Sequence, residues 1–367
     1  MRITAAVLDE QGGRFTVTDV DLAEPGAGEV LVRVVATGVC HTDEVTRHGD
    51  LPFPLPGVLG HEGAGVVTAV GAGVESVREG DHVVLGWAWC GECRNCLDGQ
   101  PRYCARLAEM LISGGRPDGS TVLRRLDGSA LHSHFFGQSS FAGYAVVHER
   151  SLVKVDPGIP VELLGPLACG LSTGAGAVLN VLRPGLGTSL VIYGVGSVGL
   201  AAVMAARSTA VTTIIAVDRH ESRLALARRF GATDTINAGD GDPVAAVTEI
   251  CGGPADFSME CTGVIDVCRQ AADSVGMRGT CALIGGAPAG ARFELDHLST
   301  LWGKRVIGVL GGEGRGAVVI PALIELYRQG RFPFDELVTY FPLEEIEGAL
   351  GASRAGEVLK PVLRMPH

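Results

Sequence analysis

The chain has 367 residues, with 30 basic and 41 acidic side chains and a formal charge of −11, enough length for about two domains at roughly 150 residues each. Hydrophobic residues make up 46% and charged ones 19%, and the mean hydropathy is +0.28, which excludes a disordered chain. The acidic surplus, with no basic block, argues against nucleic acid or an anionic membrane surface as the main partner.

No basic region followed by an apolar run opens the chain, so no secretory leader is expected. Short β-branched segments punctuated by Gly, Pro and Asp predict strands at Ile3–Leu8, Phe15–Val20, Val30–Val35, Gly65–Val70 and His82–Leu85. The polar, aperiodic stretch Arg116–Ser140 reads as a long connection. Beyond about Glu162 the rhythm changes. Strands are predicted at Leu190–Tyr193, Thr213–Val217, Asp256–Glu260 and Thr280–Ile284, alternating with helices at Val198–Arg207, Ser222–Phe230 and Ile265–Val275. That alternation predicts an α/β fold with a parallel, doubly wound sheet. A helix at Val318–Gln329 and a strand at Leu359–Leu363 close the chain. The run Ser189–Ala206 is long enough to span a bilayer, but glycines and serines interrupt it, and a buried strand, turn and helix explains it better.

Cys90, Cys93, Cys96 and Cys104 give C-x2-C-x2-C-x7-C. Four thiolates on one short loop can close a tetrahedron around a structural zinc; an iron–sulfur cluster would also use four Cys. Ten Cys without an export signal point to reduced thiols in the cytoplasm, where such clusters mean metal or catalysis rather than disulfides. Cys40, His61 and Cys169 are each weak alone, since a lone Cys is usually a small buried hydrophobe. Together they supply the three-ligand set of an open catalytic zinc, although spacing does not establish that they converge. Gly194, Val195, Gly196, Ser197, Val198 and Gly199 form a G-x-G-x-x-G loop between a predicted strand and helix, with Asp218 ending the next strand. Glycines there let a pyrophosphate approach the helix N-terminus, and an acid at that distance binds ribose hydroxyls. A carboxylate repels a 2′-phosphate, which favours NAD over NADP, a preference that neighbouring Arg219 weakens.

With these motifs in order, the chain resembles the zinc-dependent medium-chain alcohol dehydrogenases nearly end to end: GVCHTD, GHEGAGVV, the four-Cys loop, LACGLSTGAGAV, GVGSVG and AVD. FFGQSSFAGYAVV and ELYRQGRFPFDELV resemble the aryl (benzyl) alcohol dehydrogenase branch. The resemblance implies a GroES-like β-rich catalytic domain from residues 1–169 and 306–367, with a Rossmann NAD-binding domain at 170–305. It implies two zinc ions per chain, a catalytic one on Cys40, His61 and Cys169 and a structural one on the four-Cys loop. Glu62 would sit behind the catalytic zinc and exchange with its water. Thr42 would hydrogen-bond the substrate oxygen, and Asp43 would orient His61. His41 and Lys360 would approach the cofactor pyrophosphate, Arg223 would lie beside the adenosine ribose, and Trp87 would line the substrate pocket. The expected reaction is NAD-dependent oxidation of a primary alcohol, aromatic or allylic, to its aldehyde, by a cytoplasmic homodimer or homotetramer.

One departure stands out. Where animal-type relatives end a proton relay on a His five residues after the first zinc Cys, this chain has Val45, and the nearest downstream imidazole is His48. Two other readings compete. A thiol-dependent formaldehyde dehydrogenase would want basic residues such as Arg124 and Arg125 at the pocket mouth. A non-catalytic NAD-binding protein on the same fold could lose the open zinc ligands at no cost to folding.

Overall fold

Strands form where the β-branched runs stand, and their burial shows which are central. Every residue of Ser189–Tyr193 is buried, as a strand covered on both faces requires, whereas Phe15–Leu22 buries one face only. The computed structural model describes residues 1–366 and divides into two units.

The first unit comprises Met1–Cys169, Arg315–Pro321 and Asp335–His367. Its five-stranded antiparallel sheet runs Gly57–Val58, Arg2–Leu8, Phe15–Leu22, Leu123–Arg124, Ala130–Leu131. A second sheet of seven strands runs Leu152–Val155, His82–Leu85, Gly63–Val70, Glu29–Gly38, Lys360–Arg364, Val338–Pro342, and Tyr144–His148 also pairs with Glu29–Gly38. The C-terminal strand Lys360–Arg364 is antiparallel to Glu29–Gly38, with Val362 opposite Gly38. That pairing brings Lys360 beside the end of the strand that leads to Cys40. Leu8, Leu59, Leu85, Leu131, Phe135 and Phe141 are wholly buried in its core.

One expectation is corrected here. Arg116–Ser140 is more than a connection: Leu123–Arg124 and Ala130–Leu131 complete the five-stranded sheet, and Ser133, Gln138, Ser139 and Ser140 are buried. Several of its polar side chains are satisfied by backbone groups of neighbouring segments, so composition alone misled. Ser139 Oγ, for example, donates to the Val58 carbonyl at 2.6 Å.

The second unit comprises Gly170–Gly314 and Ala322–Phe334. Its six strands are all parallel, in the order Asp234–Asn237, Thr213–Asp218, Ser189–Tyr193, Ala255–Glu260, Val275–Leu283, Arg305–Gly308. Counted along the chain this is 3-2-1-4-5-6, the doubly wound order of dinucleotide-binding sheets. The α/β expectation therefore holds, and the membrane-length run divides into strand Ser189–Tyr193 and helix Ser197–Ala206. Among the described residues no helix is long and apolar enough to cross a membrane. Helices Gly170–Gly176 and Pro243–Cys251 carry no clear periodicity and are not anticipated from sequence. Gly174 stands so close to helix Ser197–Ala206 that a Cβ on it would lie 2.0 Å from the Val198 carbonyl oxygen.

Candidate metal centres and dinucleotide loop

Cys40 leaves strand Glu29–Gly38 in extended conformation and caps helix His41–His48. The Asp43 carboxylate reaches back to accept the Cys40 N–H at 2.9 Å through Oδ2, the second half of a capping box. Its Oδ1 accepts the Gly60 N–H at 3.2 Å and lies 3.1 Å from His61 Nδ1. A carboxylate only accepts, so His61 donates its Nδ1–H to Asp43 and Nε2 is the ring nitrogen left for the cluster. That Nε2 is buried and has no hydrogen-bond partner. One donor atom each from Cys40, His61, Glu62 and Cys169 lies within 4.8 Å of the others. An orphaned imidazole nitrogen facing two thiol sulfurs is a zinc-type donor set, so the residues fit a metal ion.

The electrostatics are those of crowded charge in a buried place. Sharing its proton with Cys169 holds the Cys40 thiol well below the usual thiol range, aided by His61 and Lys360 against burial. Cys169 is pushed well above that range, by Cys40 and by burial. Burial disfavours a charged His61, but Asp43 and Cys40 outweigh it and raise the imidazole well above its ordinary value. Burial drives Glu62 up to about 7, in spite of Lys360. Lys360 is itself buried, yet Glu62 and Cys40 more than offset that cost and raise it. Its Nζ donates to both Glu62 oxygens, at 3.0 and 2.9 Å, and to the Val39 carbonyl at 3.1 Å.

Sequence reasoning missed two residues around this cluster. Gln138 accepts the Gly63 N–H at 3.0 Å and donates to the carbonyls of His61 and Leu85, at 2.9 and 3.0 Å, which fixes the backbone on either side of Glu62. Phe136 lays its ring 4.6 Å from that of His61 and meets Trp87 edge-on at 4.9 Å. Both lie in the segment read as a connection, within FFGQSSFAGYAVV, a stretch that marks the family branch but gives neither residue a role.

Thr42 Oγ1 stands 3.7 Å from Cys40 Sγ. His41 is exposed. His48, half exposed, sits with Nε2 3.6 Å from Glu44 Oε2, one turn back on its own helix. Trp87 is partly buried against the core, and the Arg102 guanidinium covers its ring at 4.3 Å. Burial lowers Arg102 to about 10, still charged at neutrality.

In the four-Cys loop, one sulfur each of Cys90, Cys93, Cys96 and Cys104 lies within 4.8 Å of the others. Backbone N–H groups of Cys90, Cys93 and Ala105 donate to the sulfurs of Cys104, Cys90 and Cys93, each at 3.4 Å. The Ala105 and Cys96 N–H groups pull Cys93 down to about 6, while burial pushes Cys96 up to about 12. Amides aimed at sulfur are what a thiolate-bound cation needs from its surroundings, so this set also fits zinc.

In the second unit, Gly194 has a φ of +83°, and a Cβ on Gly199 would lie 2.1 Å from the Gly194 carbonyl oxygen. A Cβ on Gly196 would meet nothing within 4 Å. The strand–helix turn is therefore tight on its protein side and open at Gly196, a cradle for a phosphate. The first hydrogen bond of helix Ser197–Ala206 runs from Leu200 N–H to the Gly196 carbonyl, so the N–H groups of Ser197, Val198 and Gly199 head the helix. Val195 differs: its N–H is taken by Asp218 Oδ2 at 2.9 Å. Asp218 Oδ1 accepts the His220 N–H at 3.0 Å, and Arg223 Nη1 lies 3.8 Å from Oδ2. Arg219 points its Nε at His220 instead of at Asp218.

Residues 26–157 match the alcohol dehydrogenase GroES-like domain and residues 197–328 the zinc-binding dehydrogenase domain. The chain is 42% identical to the geraniol dehydrogenase of Castellaniella defragrans, over 98% of its own length and 96% of the relative's. It is 39% identical to an S-(hydroxymethyl)glutathione dehydrogenase of Escherichia coli, over 99% of its own length and 100% of the relative's. The crystal structure of benzyl alcohol dehydrogenase from Acinetobacter calcoaceticus superposes with a TM-score of 0.96 at 43% identity, covering 100% of both chains.

Proposed function

We propose, for a chain that belongs to the zinc-dependent medium-chain alcohol dehydrogenases and is an oxidoreductase, that it transfers hydride between a primary aromatic or allylic alcohol and NAD. The observation that carries this reading is the buried, partnerless His61 Nε2 facing Cys40 and Cys169. Zinc bound there would supply Lewis acidity that acidifies the substrate hydroxyl, and a bound nicotinamide would accept the hydride.

The chain's own residues do the rest. Asp43 holds the His61 tautomer and ring angle. Thr42, beside Cys40, is the first acceptor for a substrate hydroxyl proton brought to the cluster. Phe136 and Trp87 give the flat apolar wall that suits an aromatic or allylic group. Glu62, paired to Lys360, is the fourth donor and stands ready behind the triad. On the second unit, the N–H groups of Ser197, Val198 and Gly199 would receive the pyrophosphate, and Asp218 with Arg223 the adenosine ribose. Residues 170–305 would thus form the NAD-binding domain, together with 306–314 and 322–334, which the second unit also holds, and the first unit would be the catalytic one.

The names of the geraniol and benzyl alcohol dehydrogenases support the substrate class. None of the ten cysteines is in a disulfide, which suits the reducing cytoplasm, where we place the enzyme as a homodimer or homotetramer, the states the family resemblance implies. The similarity to S-(hydroxymethyl)glutathione dehydrogenase favours a second reading, oxidation of a hydroxymethyl-thiol adduct. Arg124 and Arg125 give it no support: Arg124 turns back to the Gly128 carbonyl at 3.4 Å, and Arg125 pairs with Asp9. NADH absorbance with benzyl alcohol, geraniol, ethanol, and formaldehyde with or without glutathione decides. Burying a ring gains several times more than burying a methyl, so ethanol turnover as efficient as benzyl alcohol turnover would refute the substrate class.

A further inference from the structure

Among the described residues, the buried Arg47 and the half-buried Arg116 have acidic partners, and the buried Arg102 does not. Arg47 lies 3.3 Å from Glu44, and Arg116 makes a two-pronged pair with Glu29 at 2.7 and 2.6 Å. Arg102, on the single turn Pro101–Tyr103, is only 6% exposed. Among the described residues it has no carboxylate partner and no side-chain hydrogen bond. Its guanidinium instead covers the Trp87 ring at 4.3 Å, and the Trp87 Nε1–H is itself buried without an acceptor. From Trp87 the contacts run through Phe136 to His61. The chain of ring contacts from His61 thus reaches two donor groups, the Trp87 Nε1–H and the Arg102 guanidinium, with no acceptor for either among the described residues.

A buried cation without a counter-charge is costly, and so is a buried donor left unmade. Aromatic stacking offsets part of the first cost but satisfies none of the guanidinium N–H groups. A ligand carrying two acceptor oxygens and a negative charge would satisfy both residues at once. We infer that Arg102, with Trp87, is a specificity-determining residue that binds a carboxylate at the end of the substrate remote from its hydroxyl, so that the enzyme takes hydroxymethyl-aryl carboxylates. This rests on the alcohol dehydrogenase reading above. The carboxylate is a spectator: the carbinol C–H gives its hydride to NAD, the hydroxyl gives its proton by way of Thr42 to water, and the product is the formyl-aryl carboxylate with NADH.

The test compares kcat/KM for 3- and 4-(hydroxymethyl)benzoate with that for the matching neutral amides. The expected result is a preference of tenfold or more for the carboxylate in at least one isomer. Arg102→Met should bring that ratio close to one, and Arg102→Lys, which keeps the charge but not the fork, should keep part of it. Arg102 is close to Cys104, so zinc content is measured alongside. If Arg102→Met loses the loop metal, the unmutated ratio and the Lys variant decide. Separately, benzoate should quench the tryptophan fluorescence of the enzyme saturably without cofactor, with a Kd at least tenfold weaker in Arg102→Met. An unmutated ratio near one, or a ratio and Kd that Arg102→Met leaves in place, overturns the inference. Failure to oxidise any alcohol would overturn the proposed function instead, and benzoate quenching would still judge Arg102.

Discussion

Replacing Lys360 by Met should destabilise the protein by an amount that grows with pH. Lys360 and Glu62 are 3% and 0% exposed at their side chains and 2.9 Å apart. With Lys360 present, Glu62 already titrates at about 7, against 4.5 for the free side chain. The native state therefore holds a proton that the unfolded chain has released between those values. Glu62's contribution is fully present below about pH 4.5 and is lost as pH rises through about 7, a fall of about 3 kcal/mol. Without the ammonium, Glu62 should titrate still higher. At pH 5 Glu62 is protonated in both proteins, and the variant loses packing and hydrogen bonds to Nζ, about 1–2 kcal/mol. At pH 8 the unmutated protein holds an ion pair while the variant still holds a protonated carboxyl. The two diverge only above about pH 7, by at most about 1.4 kcal/mol per pH unit, so the loss should grow to about 2–3 kcal/mol. Lys360 itself stays charged throughout this window and adds no slope. Urea unfolding of chelator-treated protein at pH 5, 6, 7 and 8 measures the gap without the charge of a bound cation. In Glu62→Gln/Lys360→Met the widening should vanish. A loss in Lys360→Met that is the same at pH 5 and pH 8 would falsify the account of this pair.

Elemental analysis should find two zinc per chain. Cys169→Ser should remove one zinc and the activity while leaving the fold, and Cys96→Ser should lower the unfolding midpoint, because structural zinc contributes to folding directly; one zinc or none in the unmutated protein contradicts the ligand sets. Asp218 should make kcat/KM for NAD much larger than for NADP, and Asp218→Gly should narrow that gap, so equal use of both by the unmutated enzyme would dispose of its role. His48→Ala should change kcat near pH 7 by less than about threefold, against a hundredfold or more for losing a general base. The structure turns that imidazole toward Glu44; a hundredfold drop rescued by added imidazole would show that it is the base.

Much of the scaffold was legible because its signals are local. Strand His82–Leu85 has the predicted bounds, and most others shift by one to three residues. The glycine loop and the four-Cys loop are each written within a few turns of chain, so spacing implies geometry there. The scattered triad was different. Cys40, His61 and Cys169 fall on a helix cap, a strand approach and the end of a 3-10 turn, and residue types alone left their convergence open. Gln138 and Phe136 were illegible for the opposite reason. A polar, Gly-rich stretch looks solvated unless the backbone groups it will satisfy are known, and those belong to strands about fifty to eighty residues earlier.

By itself the sequence determined what can be set by neighbours on the chain: the alternation that builds a parallel sheet, the turn that admits a phosphate, and thiols spaced to share one ion. Tertiary structure alone decided which groups are left without partners. Asp43 accepts the His61 Nδ1–H and so leaves Nε2 to the cluster; Lys360 crosses from the last strand to Glu62; and no carboxylate comes to Arg102 among the described residues. Burial makes an unpaired polar group costly only once packing has excluded water, and packing is a property of segments far apart in sequence.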